Sequence, residues 1–252
     1  MSRMTRRRFG AVAGATFASL AFGGCRGSAA SAADDGRLTA RPKAGGATSA
    51  SGTQPLGLSP GRDAILQMPA RAAGTALPLL VLLHGAGGSG EGILRRVGRA
   101  ADEAGVAVLA PDSRGSTWDA IRGSFDADVA FINRALDRVF QTVAVDPARV
   151  AVGGFSDGAS YAVSLGLING DLFRRVAAFS PGFVVERGAH GKPGFFISHG
   201  TEDEILPIDR CGRVIAAELR RHDYQVTLRE FAGGHEVPPA IATEAFKWIA
   251  TS

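Results

Sequence analysis

The chain has 252 residues, 45% of them hydrophobic and 21% charged, which suits one large folded domain or two small ones and excludes a mainly disordered polyelectrolyte. Arg3, Arg6, Arg7 and Arg8 account for the whole formal charge of +4, so the sequence beyond residue 24 is close to neutral. No stripe of Lys and Arg interleaved with aromatics remains there, and no nucleic-acid partner is expected.

Residues 3–24 read RMTRRRFGAVAGATFASLAFGG, a basic head followed by a short stretch of small and apolar residues. That stretch is too short and glycine-rich for a membrane-spanning helix, which needs about 20 apolar residues, and it fits a signal peptide over residues 1–24. Thr5-Arg6-Arg7-Arg8-Phe9 resembles the twin-arginine export motif. Two ends of the signal compete. Phe22-Gly23-Gly24-Cys25 resembles a lipobox, with Phe22 where Leu is usual, and would make Cys25 a lipidated N-terminus. Ala30-Ser31-Ala32-Ala33 instead has the small-x-small pattern of cleavage in a soluble secreted protein. Either way the protein is expected outside the cytoplasm, touching a membrane only through such an anchor. Without Cys25, Cys211 has no partner for an intramolecular disulfide and reads as a small buried residue.

Residues 25–53 are rich in Ala, Gly, Ser and Thr without apolar periodicity and read as a disordered tether, with one folded domain over residues 54–252. Strands are predicted over residues 64–68, 78–84 (PLLVLLH), 106–110, 150–153, 176–180, 195–199 and 226–231. Helices are predicted over residues 92–104, 126–140, 157–168 and 210–222, with a last one from Pro239. The helix at 126–140 has Val129, Ile132, Leu136 and Val139 on one face. Strands this apolar, alternating with helices, imply an α/β domain with a mostly parallel sheet covered on both faces. In such sheets ligands meet the carboxyl ends of the strands, where the polar residues therefore matter most.

Three polar clusters sit at such ends. Gly154-Phe155-Ser156-Asp157-Gly158 joins the strand RVAVGG to a helix rich in small residues. A sharp strand-to-helix turn needs glycine on both sides and lifts Ser156 to the helix's positive end. The bland reading is a serine that only caps the helix. His199-Gly200-Thr201-Glu202-Asp203-Glu204 follows a second strand, and with Asp209 it offers four carboxylates. Gly233-Gly234-His235 follows a third. The order nucleophile, acid, histidine is the one in which α/β-hydrolases carry Ser, Asp or Glu, and His.

A fourth loop, Gly85-Ala86-Gly87-Gly88-Ser89-Gly90, follows the strand at 78–84. It lacks the G-K-[ST] of a phosphate loop and breaks the G-x-G-x-x-G spacing at Glu91. It reads instead as an oxyanion loop, with the N–H of Ala86, or alternatively Gly87, as one donor and that of Asp157 as the other. His84 reads as a support of this loop, His199 as packing beneath the acid loop, His190 as part of a Gly-rich loop, and His222 as a helix-end residue where a cation suits the dipole. No metal-ligand spacing is present, and no metal or cofactor is expected.

The motifs HGAGGSG, DPARVAVGGFSDG, SHGTEDEILP and GGH together resemble the phospholipase/carboxylesterase–dienelactone hydrolase branch of the α/β-hydrolases, over about residues 77–250. The resemblance assigns the catalytic acid, within HGTxDxxxP, to Asp203, beside Ser156 and His235. It implies a cofactor-free hydrolysis of small-molecule carboxylic esters through an acyl-enzyme. The family more often has Gln where this chain has Asp157. Too little sequence separates the strands for a large lid. Trp118, Phe183 and Leu206, with Val237, follow strand ends and are the pocket-wall candidates, each with plain packing as the alternative. A thioesterase, peptidase or polyester depolymerase on the same three residues, or a surface-anchored binding protein without chemistry, are the competing functions. The oligomeric state is left open.

Overall fold

Seven consecutive apolar residues, Leu77–Leu83, form β3, and every one is buried. The side chains alternate: Leu79, Val81 and Leu83 enter one core, Leu80 and Leu82 the other. A strand buried on both faces belongs in the middle of a doubly covered sheet, and β3 lies there. The computed structural model describes residues 35–43, 51–70 and 76–251. The export signal, Cys25 and much of the tether lie outside these residues.

Among the described residues the remaining strands are β1 (Gly52–Pro55), β2 (Ala64–Met68), β4 (Ala107–Pro111), β5 (Val145–Phe155), β6 (Arg175–Phe179), β7 (Gly194–Gly200) and β8 (Val226–Phe231). They form a single sheet in the order β1-β2-β4-β3-β5-β6-β7-β8. The β1/β2 and β2/β4 pairs are antiparallel, and every other pair is parallel. The helices are α1 (Gly90–Val97), α2 (Ala100–Ala104), α3 (Ala127–Thr142), α4 (Asp157–Ile168), α5 (Gly212–Arg221) and α6 (Pro239–Ala250). Helices α3, α4 and α5 bury their apolar stripes in the core that holds Leu79, and α1, α2 and α6 in the core that holds Leu80.

The single helix expected over 92–104 is two. Gly98 takes φ +59° at the end of α1, a backbone that side chains seldom adopt, and the chain restarts as α2. Folded structure also begins before Gln54. Residues 35–43, within the presumed tether, lie against the domain, with Leu38 1% and Ala40 2% exposed. Asn169 accepts from the Leu38 N–H at 2.8 Å and donates to the Gly36 carbonyl at 2.9 Å, while Asn133 accepts from the N–H groups of Thr39 and Ala40. Arg37 and Arg41 both pair with Asp171, at 2.8 and 2.6 Å. An alternating short segment with arginines at its ends has too few residues for a periodicity signal, so composition alone misread it.

Candidate active site

Ser156 stands between β5 and α4 with φ +58° and ψ −121°. A non-glycine residue there is strained by about 1–3 kcal/mol, and such strain tends to persist where function demands it. Its flanking glycines are explained by contacts. A methyl group on Gly158 would lie 2.3 Å from the Leu83 carbonyl oxygen, and one on Gly154 2.4 Å from the Gly158 carbonyl oxygen. The turn is tight because α4 begins directly against the end of β3. The Ser156 N–H is tied to the Phe179 carbonyl at 2.9 Å, which joins the turn to β6.

Asp203 and His235 meet from the ends of β7 and β8. The Asp203 carboxylate Oδ2 lies 2.7 Å from His235 Nδ1. A carboxylate only accepts, so Nδ1 carries the proton and Nε2 is left as an acceptor. Burial pushes the Asp203 carboxyl up, but the Leu206 N–H, the His235 hydrogen bond and the charges of His235 and His199 outweigh it and hold it below its ordinary value. Asp203 Oδ1 also accepts from the N–H groups of Ile205 and Leu206, at 3.0 and 2.8 Å. Of the other acid-loop carboxylates, Asp209 is taken by Arg213 at 2.5 Å, and Glu202 and Glu204 are exposed. The His235 ring packs on Phe155, the residue before Ser156, with centroids 4.7 Å apart. His199 lies beneath the acid loop, fully buried, donating to the Leu206 carbonyl at 2.6 Å.

The loop after β3 reaches the serine through Gly85, where a methyl group would sit 3.3 Å from Ser156 Cβ. The Gly87 N–H is spent on the Ser116 carbonyl at 2.6 Å and that of Gly88 on Gly85 at 3.0 Å. Among the described residues the N–H groups of Ala86 and Asp157 have no acceptor, which favours Ala86 over Gly87. The Asp157 carboxylate accepts from Thr117 Oγ1 at 2.7 Å.

Trp118 does not line a pocket. It is fully buried, donates from Nε1 to the His84 carbonyl at 2.8 Å, and stacks on Tyr161 at 5.3 Å and against His84 at 4.9 Å. It buttresses the loop after β3 from below, a role its position after β4 did not distinguish from a pocket wall. Phe183 is 40% exposed, and Leu206 is half-buried and touches the Gly182 position, so these two remain at the surface of neighbouring loops. Val237 is buried in the core beside α6.

Arg62 gives no sequence signal and is central to this support. It donates to the carbonyl of Ser113, to Ser113 Oγ at 3.1 Å and to the Gly88 carbonyl at 3.2 Å. His84 Nε2 accepts from the Ser113 N–H at 3.0 Å, so its Nδ1–H donates to the Gly85 carbonyl at 2.7 Å. Burial lowers the His84 pKa and keeps the ring neutral, as that pattern requires. Cys211 is a buried free thiol whose pKa burial raises, an inert environment. Among the described residues, no three His, Cys, Asp or Glu side chains converge as metal ligands would.

Residues 118–252 match the model of the family described as Phospholipase/Carboxylesterase. The protein named "Putative esterase NocK" from Nocardia uniformis subsp. tsuyamanensis is 34% identical over 143 residues, 52% of this chain and 42% of that protein. Feruloyl esterase C of Emericella nidulans is 28% identical over 158 residues, 59% of this chain and 57% of its own length. The chain thus spans about half the length of the curated relatives it matches. The fluorophosphonate-binding serine hydrolase FphF of Staphylococcus aureus superposes with a TM-score of 0.63, covering 81% of this chain and 100% of that one. Its 17% identity makes that a likeness of fold. The sheet order, the helices on both faces and the match over more than half the sequence have one consequence: this chain belongs to the phospholipase/carboxylesterase family of α/β-hydrolases.

Proposed function

We propose that the protein is a serine hydrolase that cleaves carboxylic esters through Ser156, His235 and Asp203. The observation that carries the reading is the 2.7 Å contact of Asp203 with His235 Nδ1, which leaves Nε2 as the proton acceptor, on a ring packed against Phe155, the residue before the strained Ser156. In the first half-reaction the Ser156 hydroxyl proton passes to Nε2 while Oγ bonds to the ester carbonyl carbon. The resulting oxyanion is met by the N–H groups of Ala86 and Asp157. The intermediate collapses, the carbon–oxygen bond to the alcohol breaks, and the imidazolium proton leaves with the alcohol as an acyl-enzyme forms. In the second half-reaction water repeats the sequence and releases the acid. Asp203 stays ionised throughout and stabilises the imidazolium. Phe183 and Leu206 are the pocket residues in this reading. The names of the matched relatives, an esterase and a feruloyl esterase, favour an oxygen ester over a thioester or peptide.

The test is intact-mass labelling of the full chain with a fluorophosphonate. One label per chain is expected in the wild type and none in Ser156→Ala. A folded wild type that takes no label would discard the triad and favour a binding protein that kept the fold.

A further inference from the structure

The ring of Phe155 has a second neighbour. The Arg96 guanidinium lies over it, 4.4 Å from the centroid, while the His235 ring packs on the same phenyl group at 4.7 Å. Arg96 comes from the last turn of α1, on the side of the oxyanion loop. Beside this stack is a cavity of about 170 Å³ whose lining includes Gly85, Ala86 and Gly88 of the loop after β3 together with Ile93, Arg96 and Phe155. It adjoins the nucleophile through Gly85 and Phe155.

Arg96 is exposed and makes no ion pair among the described residues. Its neighbour Arg95 pairs with Glu91 at 2.5 Å and Arg99 with Glu103 at 3.7 Å, but among the described residues no carboxylate lies within ion-pairing distance of Arg96. Asp157, the acid next to the nucleophile, is engaged by Thr117 instead. Cation–π contact orients the guanidinium plane and leaves its N–H edges unspent, the geometry that receives a carboxylate bidentately. A small cavity lined by residues of the loop after β3 and by an unpaired cation suits a short chain ending in an anion.

We propose that Arg96 determines specificity, selecting esters that bear a carboxylate on a short chain. This rests on the assignment of Ser156 as nucleophile. The carboxylate can belong to the acid or the alcohol portion of the ester, and two pairs of near-isosteric substrates separate these sources. On the acid side, monomethyl succinate is compared with methyl 4-methylpentanoate. On the alcohol side, acetoxyacetate is compared with isobutyl acetate. The readout is the ratio of kcat/KM, charged over neutral, for the full chain as wild type, Arg96→Lys and Arg96→Gln.

In one of the two pairs the wild-type ratio is expected to exceed that of Arg96→Gln by about tenfold, the size of one charge-assisted hydrogen bond. Arg96→Lys should fall between them, and added salt should shrink the difference. Equal ratios in wild type and Arg96→Gln for both pairs overturn the inference and leave the hydrolase intact. So does a wild type that takes the fluorophosphonate label but cleaves neither charged ester. A wild type that neither labels nor cleaves any of the four overturns both.

Discussion

Ser156 shows how neighbouring residues set one residue's backbone. Its positive φ is held by a turn with no room for side chains at Gly154 or Gly158, so the hydroxyl stands clear of the sheet at the start of α4. In the proposed reaction Asp203 acts at the same scale, through its contact with His235 Nδ1. With asparagine at 203, an amide can donate to Nδ1 and place the histidine proton on Nε2, where it no longer accepts from serine. Steady-state kinetics of Asp203→Asn should show kcat reduced about 10³–10⁴-fold with a much smaller change in KM. A loss below about tenfold would mean that another acid serves His235.

At the scale of elements, the excursion between β4 and α3 is held as a unit by two buried carboxylates. Asp119 accepts from Tyr161 at 3.0 Å and from the N–H groups of Asp126 and Asp128, while Asp128 accepts from the N–H groups of Arg114 and Asp119. The network fixes Trp118, and through it the His84 carbonyl at the root of the loop after β3. Burial raises the Asp128 carboxyl to about 6, and the nearby Asp119 charge adds to this against the pull of the Arg114 N–H. A carboxyl raised in the fold holds its proton more tightly there than in the unfolded chain. Its contribution to stability is therefore full below its ordinary value of 3.8 and lost as pH rises through about 6. Thermal or urea unfolding from pH 4 to 7 should show wild type losing on the order of 2–3 kcal/mol relative to Asp128→Asn over that window. A pH-independent difference would mean that Asp128 does not titrate there.

At the scale of the whole domain, the segment 35–43 and Ser156 mark opposite ends of α4. The serine precedes its first turn, while Asn169 and Asp171, which hold the segment, follow its last, roughly 18 Å away along the axis. The hydrogen bond from Arg37, set against partial burial and joined by that from Arg41, takes the Asp171 carboxyl down to about 2. Most of the segment's hold comes from burying Leu38, worth about 1.5–3 kcal/mol, and from the backbone hydrogen bonds to two asparagines. Leu38→Asp should release the segment, lower stability by about 2–4 kcal/mol and expose residues 35–43 to limited proteolysis. Fluorophosphonate labelling below the melting temperature should survive. Loss of labelling in a folded Leu38→Asp protein would instead tie the segment to the site.

What the sequence determined by itself is whatever repeats locally. Apolar runs specified the sheet from β2 to β8, the three- and four-residue spacing specified α3, and glycines around a serine marked the turn at 154–158, because each reports on neighbours a few residues away. The order of Ser156, Asp203 and His235 was legible for the same reason, each lying at the end of a readable strand. Only the tertiary structure decided the rest. Arg62 reaches Gly88 and Ser113, Trp118 turns inward to His84, and Leu38 meets Asn169, contacts separated by 26 to 131 residues. Such pairings leave no local pattern, since any surface loop offers an arginine, a tryptophan or an asparagine of the same composition. Packing around one site chooses among them, and that choice is made only when the sheet brings its strand ends together.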